Sequence, residues 1–131
     1  MDQSDLLKVF NSIVRPTLEY ASPTFHSMLT QEMTDEIEGI QKRASKLIYG
    51  WDSNYDEIID SGKMETLSAR RERLTLNFAR KTAKQPRFAN WFKEKSYQGL
   101  NLRKEKKFEE VFAKTERLKK SPLYYLSLIH I

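Results

Sequence analysis

The sequence predicts an all-α fold: a small single-domain bundle of about four to five helices, with a Pro-kinked first helix and a basic C-terminal half. Two observations point there. Apolar residues recur at three- and four-residue steps in several separate stretches, the signature of helices and not of strands. The hydrophobic share is 39% and the charged share 31% over 131 residues, a balance that suits slim helical architecture more than a thick sheet. The length fits one domain with room for a core.

The first helix is expected from Ser4, read as its N-cap, to Tyr20. Leu6, Phe10 and Ile13 stack on one line, with Leu7, Val14 and Leu18 beside it, so the helix should be deeply buried. Pro16 lacks a backbone donor and crowds the preceding turn, which kinks or ends the helix there. Pro23 then turns the chain.

A second helix follows in TQEMTDEIEGIQKRASKLIYG, where Met33, Ile37, Ile40, Ala44, Leu47 and Ile48 keep helical spacing. Its acidic start, basic finish and following Gly50 suit the helix dipole and a glycine C-terminal cap. SNYDEIIDSG reads as a short third helix, with Ser53 and Asp56 as a capping-box pattern and Gly62 beyond its end.

TLSARRERLTLNFARKTAKQP gives a fourth helix that stops before Pro86. At ~100° per residue Leu67, Leu74 and Phe78 share one side, while Ala69, Leu76 and Ala83 lie nearly opposite. Arg70, Arg73, Arg80, Lys81 and Lys84 gather between them within an arc of about 100°. RFANWFKEK adds an aromatic cluster of one or two turns. A looser helical pattern runs through Phe108, Val111, Phe112 and Leu118 and ends at Pro122.

Function classes narrow by exclusion. The chain has no cysteine and only His26 and His130, which removes disulfides, thiolate sites and cysteine nucleophiles. It lacks a glycine-rich phosphate loop, a paired Asp-Asp and any triad spacing. Asp56, Glu57 and Asp60 form the nearest carboxylate cluster, better suited to a helix N-terminus than to a metal. His26, set among aromatics and prolines, suits a structural hydrogen bond. No apolar run spans a bilayer and no signal-peptide core appears, so a cytoplasmic or nuclear location is expected, neither secreted nor membrane-spanning.

Charge points to a partner. Residues 1–66 hold 6 Lys+Arg against 12 Asp+Glu, a net −6, and residues 67–131 hold 17 against 6, a net +11. Such division between halves indicates a polyanion partner. Basic residues interleaved with aromatics are the footprint of phosphate-backbone binding, and Tyr49, Trp51 and Trp91 are candidates to stack on bases or to pack in a core.

Five blocks then carry a family resemblance: LLKVFNSIVRPTLEYASPTFH, IEGIQKRASKLIYG, YDEIIDSG with TLSARRERL, PRFANWF, and AKTERLKKSPLYYL. In this order, from Leu6 to Leu126, the chain resembles the C-terminal segment, past the palm, of the pol protein of jockey-like (LINE-type) non-LTR retrotransposons. The resemblance implies a helical extension continuing from the thumb and connection region of an RNA-directed DNA polymerase. Pro16 and Pro23, with Arg15, Glu19 and Tyr20, would form its architectural joint. The family's paired catalytic aspartates are absent from this chain. Phe25 stands where the family's Ser-Pro-x-Trp-His corner has tryptophan, and Met64 and Glu65 stand where Leu-Pro is frequent. The closing SLIHI resembles translated adapter read-through, so 1–126 is expected to be the helical segment and 127–131 a non-native tail.

The expectation is therefore a non-enzymatic accessory segment that grips template RNA or an RNA–DNA hybrid through phosphates, beside the remainder of the parent polymerase. Arg70, Arg73, Arg80, Lys81 and Lys84 would make one strip, and Lys104, Lys106, Lys107, Lys119 and Lys120 a second. No cofactor, membrane or small-molecule substrate is expected for this chain; the parent polymerase would use Mg2+. Two alternatives stand beside it: a structural helical module whose basic helix docks on the acidic half of the same chain, and a decayed fragment without independent function.

Overall fold

The computed structural model describes residues 1–92 and 112–128. It is all-helical, with no strand among the described residues. In chain order the elements are α1 (Gln3–Val9), a π-helical turn (Phe10–Val14), α2 (Arg15–Glu19), α3 (Ser22–Phe25), a 3-10 turn (His26–Met28), α4 (Gln31–Tyr49), α5 (Tyr55–Asp60), α6 (Leu67–Ala83), a second 3-10 turn (Pro86–Phe88), α7 (Glu116–Lys119) and α8 (Pro122–Leu128). They fall into two compact units, 1–22 with 29–73, and 23–28 with 74–131.

In the first unit the bend at Pro16 is absorbed upstream. Pro16 offers no N–H, and its ring would crowd the carbonyl four residues earlier in a regular helix. The chain widens instead into the π-helical turn, whose closing bond runs from Arg15 N–H to the Phe10 carbonyl. Pro16 then sits in the opening turn of α2, where its missing donor is harmless. The N-cap of α1 is Asp2, whose carboxylate accepts from Gln3 N–H at 2.8 Å, and not Ser4 as expected. α2 ends at Tyr20, and Ala21 follows with φ of 54°, a left-handed conformation.

Phe10, Ile48, Ile58 and Met64 form the core of this unit, with Leu6, Leu7, Val14, Ala44, Tyr49 and Ile59 packed on them. The kinked helix contributes less than its pattern suggested, because Ile13 stays exposed, and Val9 one turn earlier is exposed as well. α4 is also rotated from the expected orientation. Its buried positions are Gln41, Ser45 and Ile48, whereas Met33, Ile40 and Leu47 face outward. The reason is a polar network that recruits Gln41. Its amide donates to the Glu65 carbonyl at 2.8 Å and to the Tyr55 hydroxyl at 2.9 Å.

Helix ends follow the punctuation closely. Thr30 caps α4 through Met33 N–H, and Gly50 closes it at φ 106°. Asn54, not Ser53, caps α5, because Ser53 Oγ is committed to the Gly50 carbonyl at 2.6 Å.

The second unit has a smaller core of Ala79, Phe92 and Leu126, with Ala83 and Tyr125 against it. The ring of His26 meets Tyr125 edge-on at 5.4 Å, and Ser27 Oγ donates to the Lys120 carbonyl at 2.9 Å. Pro122 lies just past the end of α7 and opens α8, which carries Leu126 and Ser127 into burial. The tail helix expected through Phe108 and Val111 lies outside the described residues; Phe112 is exposed and not helical, and Leu118 belongs to the single turn α7.

Candidate nucleic-acid interface

α6 is the element on which the expected basic strip sits, and its start is fixed by polar side chains. Thr66 Oγ1 accepts from Ala69 N–H at 3.2 Å. Glu38 reaches across from α4 and accepts from Leu67 N–H at 3.0 Å, placing a carboxylate on the positive end of the helix dipole. The same carboxylate accepts a hydrogen bond from the Tyr55 hydroxyl. Burial and the bond to Glu38 push the Tyr55 phenol well above its ordinary range.

That shift has a sign. The folded chain resists ionising this phenol, so its contribution is complete below about pH 10, the unfolded value. It is lost as pH climbs further. Urea midpoints measured from pH 8 to 11 should fall at the alkaline end in the native chain, and Tyr55→Phe should flatten that fall.

The buried line of α6 differs from the expected one. It runs through Leu67, Arg71, Thr75, Ala79 and Thr82, while Leu74 is half-buried and Phe78 is 38% exposed. Arg71, a residue outside the expected strip, is 1% exposed. Burial lowers the pKa of its guanidinium, and the fields of Glu38 and Glu19 partly offset the effect. Periodicity favoured leucine over arginine at the core line. The available clue was the unbroken four-residue step from Leu67 through Arg71 and Thr75 to Ala79.

The predicted strip divides. In the first unit Arg70 forms a fork on Glu19, with Nε close to Oε1 and Nη2 at 3.1 Å from Oε2. Its Nη1 lies 3.6 Å from Glu65, and Arg73 Nη2 lies 2.7 Å from the same carboxylate. The bond to Glu19 holds the Arg70 pKa above its ordinary value. Burial and the neighbouring Arg70 lower that of Arg15. Arg70 and Arg73 are thus neutralised by carboxylates of the acidic half, which corrects their assignment as open phosphate contacts.

In the second unit the picture reverses. Arg80, Lys81 and Lys84 are exposed and make no ion pair among the described residues. Arg80 and Lys84 are four residues apart and Lys81 and Lys84 three, the spacing of neighbours on a helix surface. Arg87, in the 3-10 turn beyond, is exposed as well. Lys119 is engaged by Glu116 at 2.7 Å, and Lys120 is exposed. Lys104, Lys106 and Lys107 lie outside the described residues.

The aromatics also sort. Trp51 is 74% exposed, and Trp91 is 44% exposed with its ring 4.8 Å from that of Phe88. Tyr49 packs in the core under Lys63. Among the described residues no group of three His, Asp or Glu side chains could hold a metal ion, and no helix is long and apolar enough to cross a membrane. In comparisons with known proteins, no family model, no curated protein and no solved structure matches the chain.

Proposed function

We propose that the chain is a non-catalytic phosphate-binding segment of a retroelement reverse transcriptase, holding template RNA or an RNA–DNA hybrid by its backbone. The motif resemblance supplies the family. The observation that carries the chemistry is the group of exposed cations at the end of α6: Arg80, Lys81 and Lys84, continued by Arg87. Cations at a helix C-terminus are held without an opposing carboxylate by the dipole itself, and so remain open to an external anion. Arginine adds a planar fork that matches a phosphate.

Binding should be weak, insensitive to sequence and steeply dependent on salt. Three or four phosphate contacts on a single strand give a slope near −2 to −3 in log K against log salt, so affinity should fall roughly 20- to 60-fold between 50 and 200 mM. Fluorescence anisotropy with a labelled RNA tests this on the full chain. Arg80→Glu with Lys84→Glu should abolish binding while the melting curve stays unchanged. A flat salt profile, or binding that survives both reversals, removes the reading.

A second reading is favoured by the pairing of Arg70 and Arg73 with Glu19 and Glu65: a structural module in which the basic helix satisfies the acidic half. It applies to the first unit. There charge reversal should cost stability and leave RNA affinity where it was.

A further inference from the structure

α4 carries two apolar tracks. One joins the core through Ile48 and Ala44. The other runs outward through Met33, Ile40 and Leu47, which are 49%, 41% and 63% exposed. Seven residues fall about 20° short of two full turns, so these three lie close to one line about 21 Å long. Large aliphatic side chains repeated along one line of a 19-residue helix make a continuous strip, not scattered exposure.

Its border is charged in a particular order. Glu32 and Glu36 flank the first half and Arg43 and Lys46 the second, all exposed and none in an ion pair among the described residues. The helix dipole accounts for acid before base along the axis. It does not account for a strip centred between them, with Ile40 seven residues from Met33 and seven from Leu47.

We infer that this strip is a homodimer interface, in which α4 of two copies packs antiparallel about a two-fold axis at Ile40. Such an axis, perpendicular to both helices, sets a border against the same border reversed. Met33 then meets Leu47 of the second copy, Ile40 meets Ile40, and Glu36 and Glu32 face Arg43 and Lys46. Parallel pairing would leave the two acidic halves level with each other and give neither a basic partner. A foreign apolar peptide would fill the strip but has no reason to match a charge order that mirrors itself. One helix pair is at the small end of stable interfaces, so association in the micromolar range is expected. The inference is independent of nucleic-acid binding.

Sedimentation equilibrium of the full chain tests it. Between roughly 1 and 100 µM the mass should rise from the 15.5 kDa monomer toward twice that value, and Ile40→Glu should hold it at the monomer. Because the chain has no cysteine, single-cysteine variants report the register. Oxidised Ile40→Cys should couple to itself, whereas Met33→Cys and Leu47→Cys should couple to each other in preference to themselves. The inference is overturned by a native mass fixed at the monomer, or by dimers that tolerate Ile40→Glu. Cross-links dominated by 33–33 and 47–47 pairs overturn it too, as does a chain without a cooperative unfolding transition, which would not present the strip.

Discussion

Glu19→Ala should destabilise the chain by about 2–3 kcal/mol and leave RNA affinity no weaker than before. The magnitude follows from where the pair sits. The Arg70 and Glu19 side chains are 18% and 10% exposed, between the surface regime, where pairs give under about 1 kcal/mol, and the buried regime, where breaking one costs about 3–5. Glu19 also stands among more cations than Arg70 alone. Its field reaches Arg15 and Arg71 as well, so deleting it leaves three guanidinium groups to Glu65 and Glu38. Urea denaturation of Glu19→Ala, Arg70→Ala and the double variant measures the coupling, which should be about 1.5–2.5 kcal/mol. A single-variant loss below about 0.5 kcal/mol would place the pair in the screened surface class and remove it from the list of forces that hold α6 to the acidic half. RNA binding is the necessary second readout, since the cations at the far end of α6 do not depend on Glu19.

This pair also shows what a linear reading can and cannot see. The split of −6 and +11 between halves is visible in the sequence and requires the acidic half to find cations somewhere. Which arginines it finds is a question of three dimensions: Glu19 and Arg70 are 51 positions apart. A helical projection placed Arg70, Arg73, Arg80, Lys81 and Lys84 on one arc, but it could not distinguish those opposite a carboxylate from those opposite water. The limits of α4 and α6 were legible because Thr30, Gly50, Thr66 and Pro86 punctuate them chemically. Their rotation was not. Apolar counting aims α4 by Met33, Ile37, Ile40, Ala44, Leu47 and Ile48, whereas the helix keeps Ala44 and Ile48 on the core, turns Gln41 and Ser45 inward and leaves Met33, Ile40 and Leu47 outside; Gln41 binds the Glu65 carbonyl and the Tyr55 hydroxyl. A buried polar residue that satisfies two partners can outweigh an exposed leucine in setting a helix face, since an unpaired buried donor costs about 1–3 kcal/mol.

Phe10→Ala carries a large expected loss, about 3–5 kcal/mol. Phe10 is 3% exposed and packs with Ile48 of α4, Ile58 of α5 and Met64, so it joins the bent first helix to α4 and α5. The bend is part of why it can do so. Its carbonyl accepts the Arg15 N–H that closes the π-helical turn, and that turn exists because Pro16 cannot continue a regular ladder. Removing the ring deletes the transfer energy of a buried aromatic and leaves a void among three side chains from separate segments, which cannot all close in on it. Against a total stability of about 5–15 kcal/mol for a typical domain, such a loss is a large fraction of what keeps the chain folded. Phe10→Leu keeps most of the volume and should cost less than about 1.5 kcal/mol. Thermal unfolding followed by far-UV circular dichroism separates the two, and an alanine variant that melts within a few degrees of the native chain would mean that Phe10 does not anchor the first helix. Pro16→Ala supplies the matching control for the bend. It restores a donor and should let the turn relax toward regular helix, and any stability it costs measures how far the position of Phe10 depends on the proline.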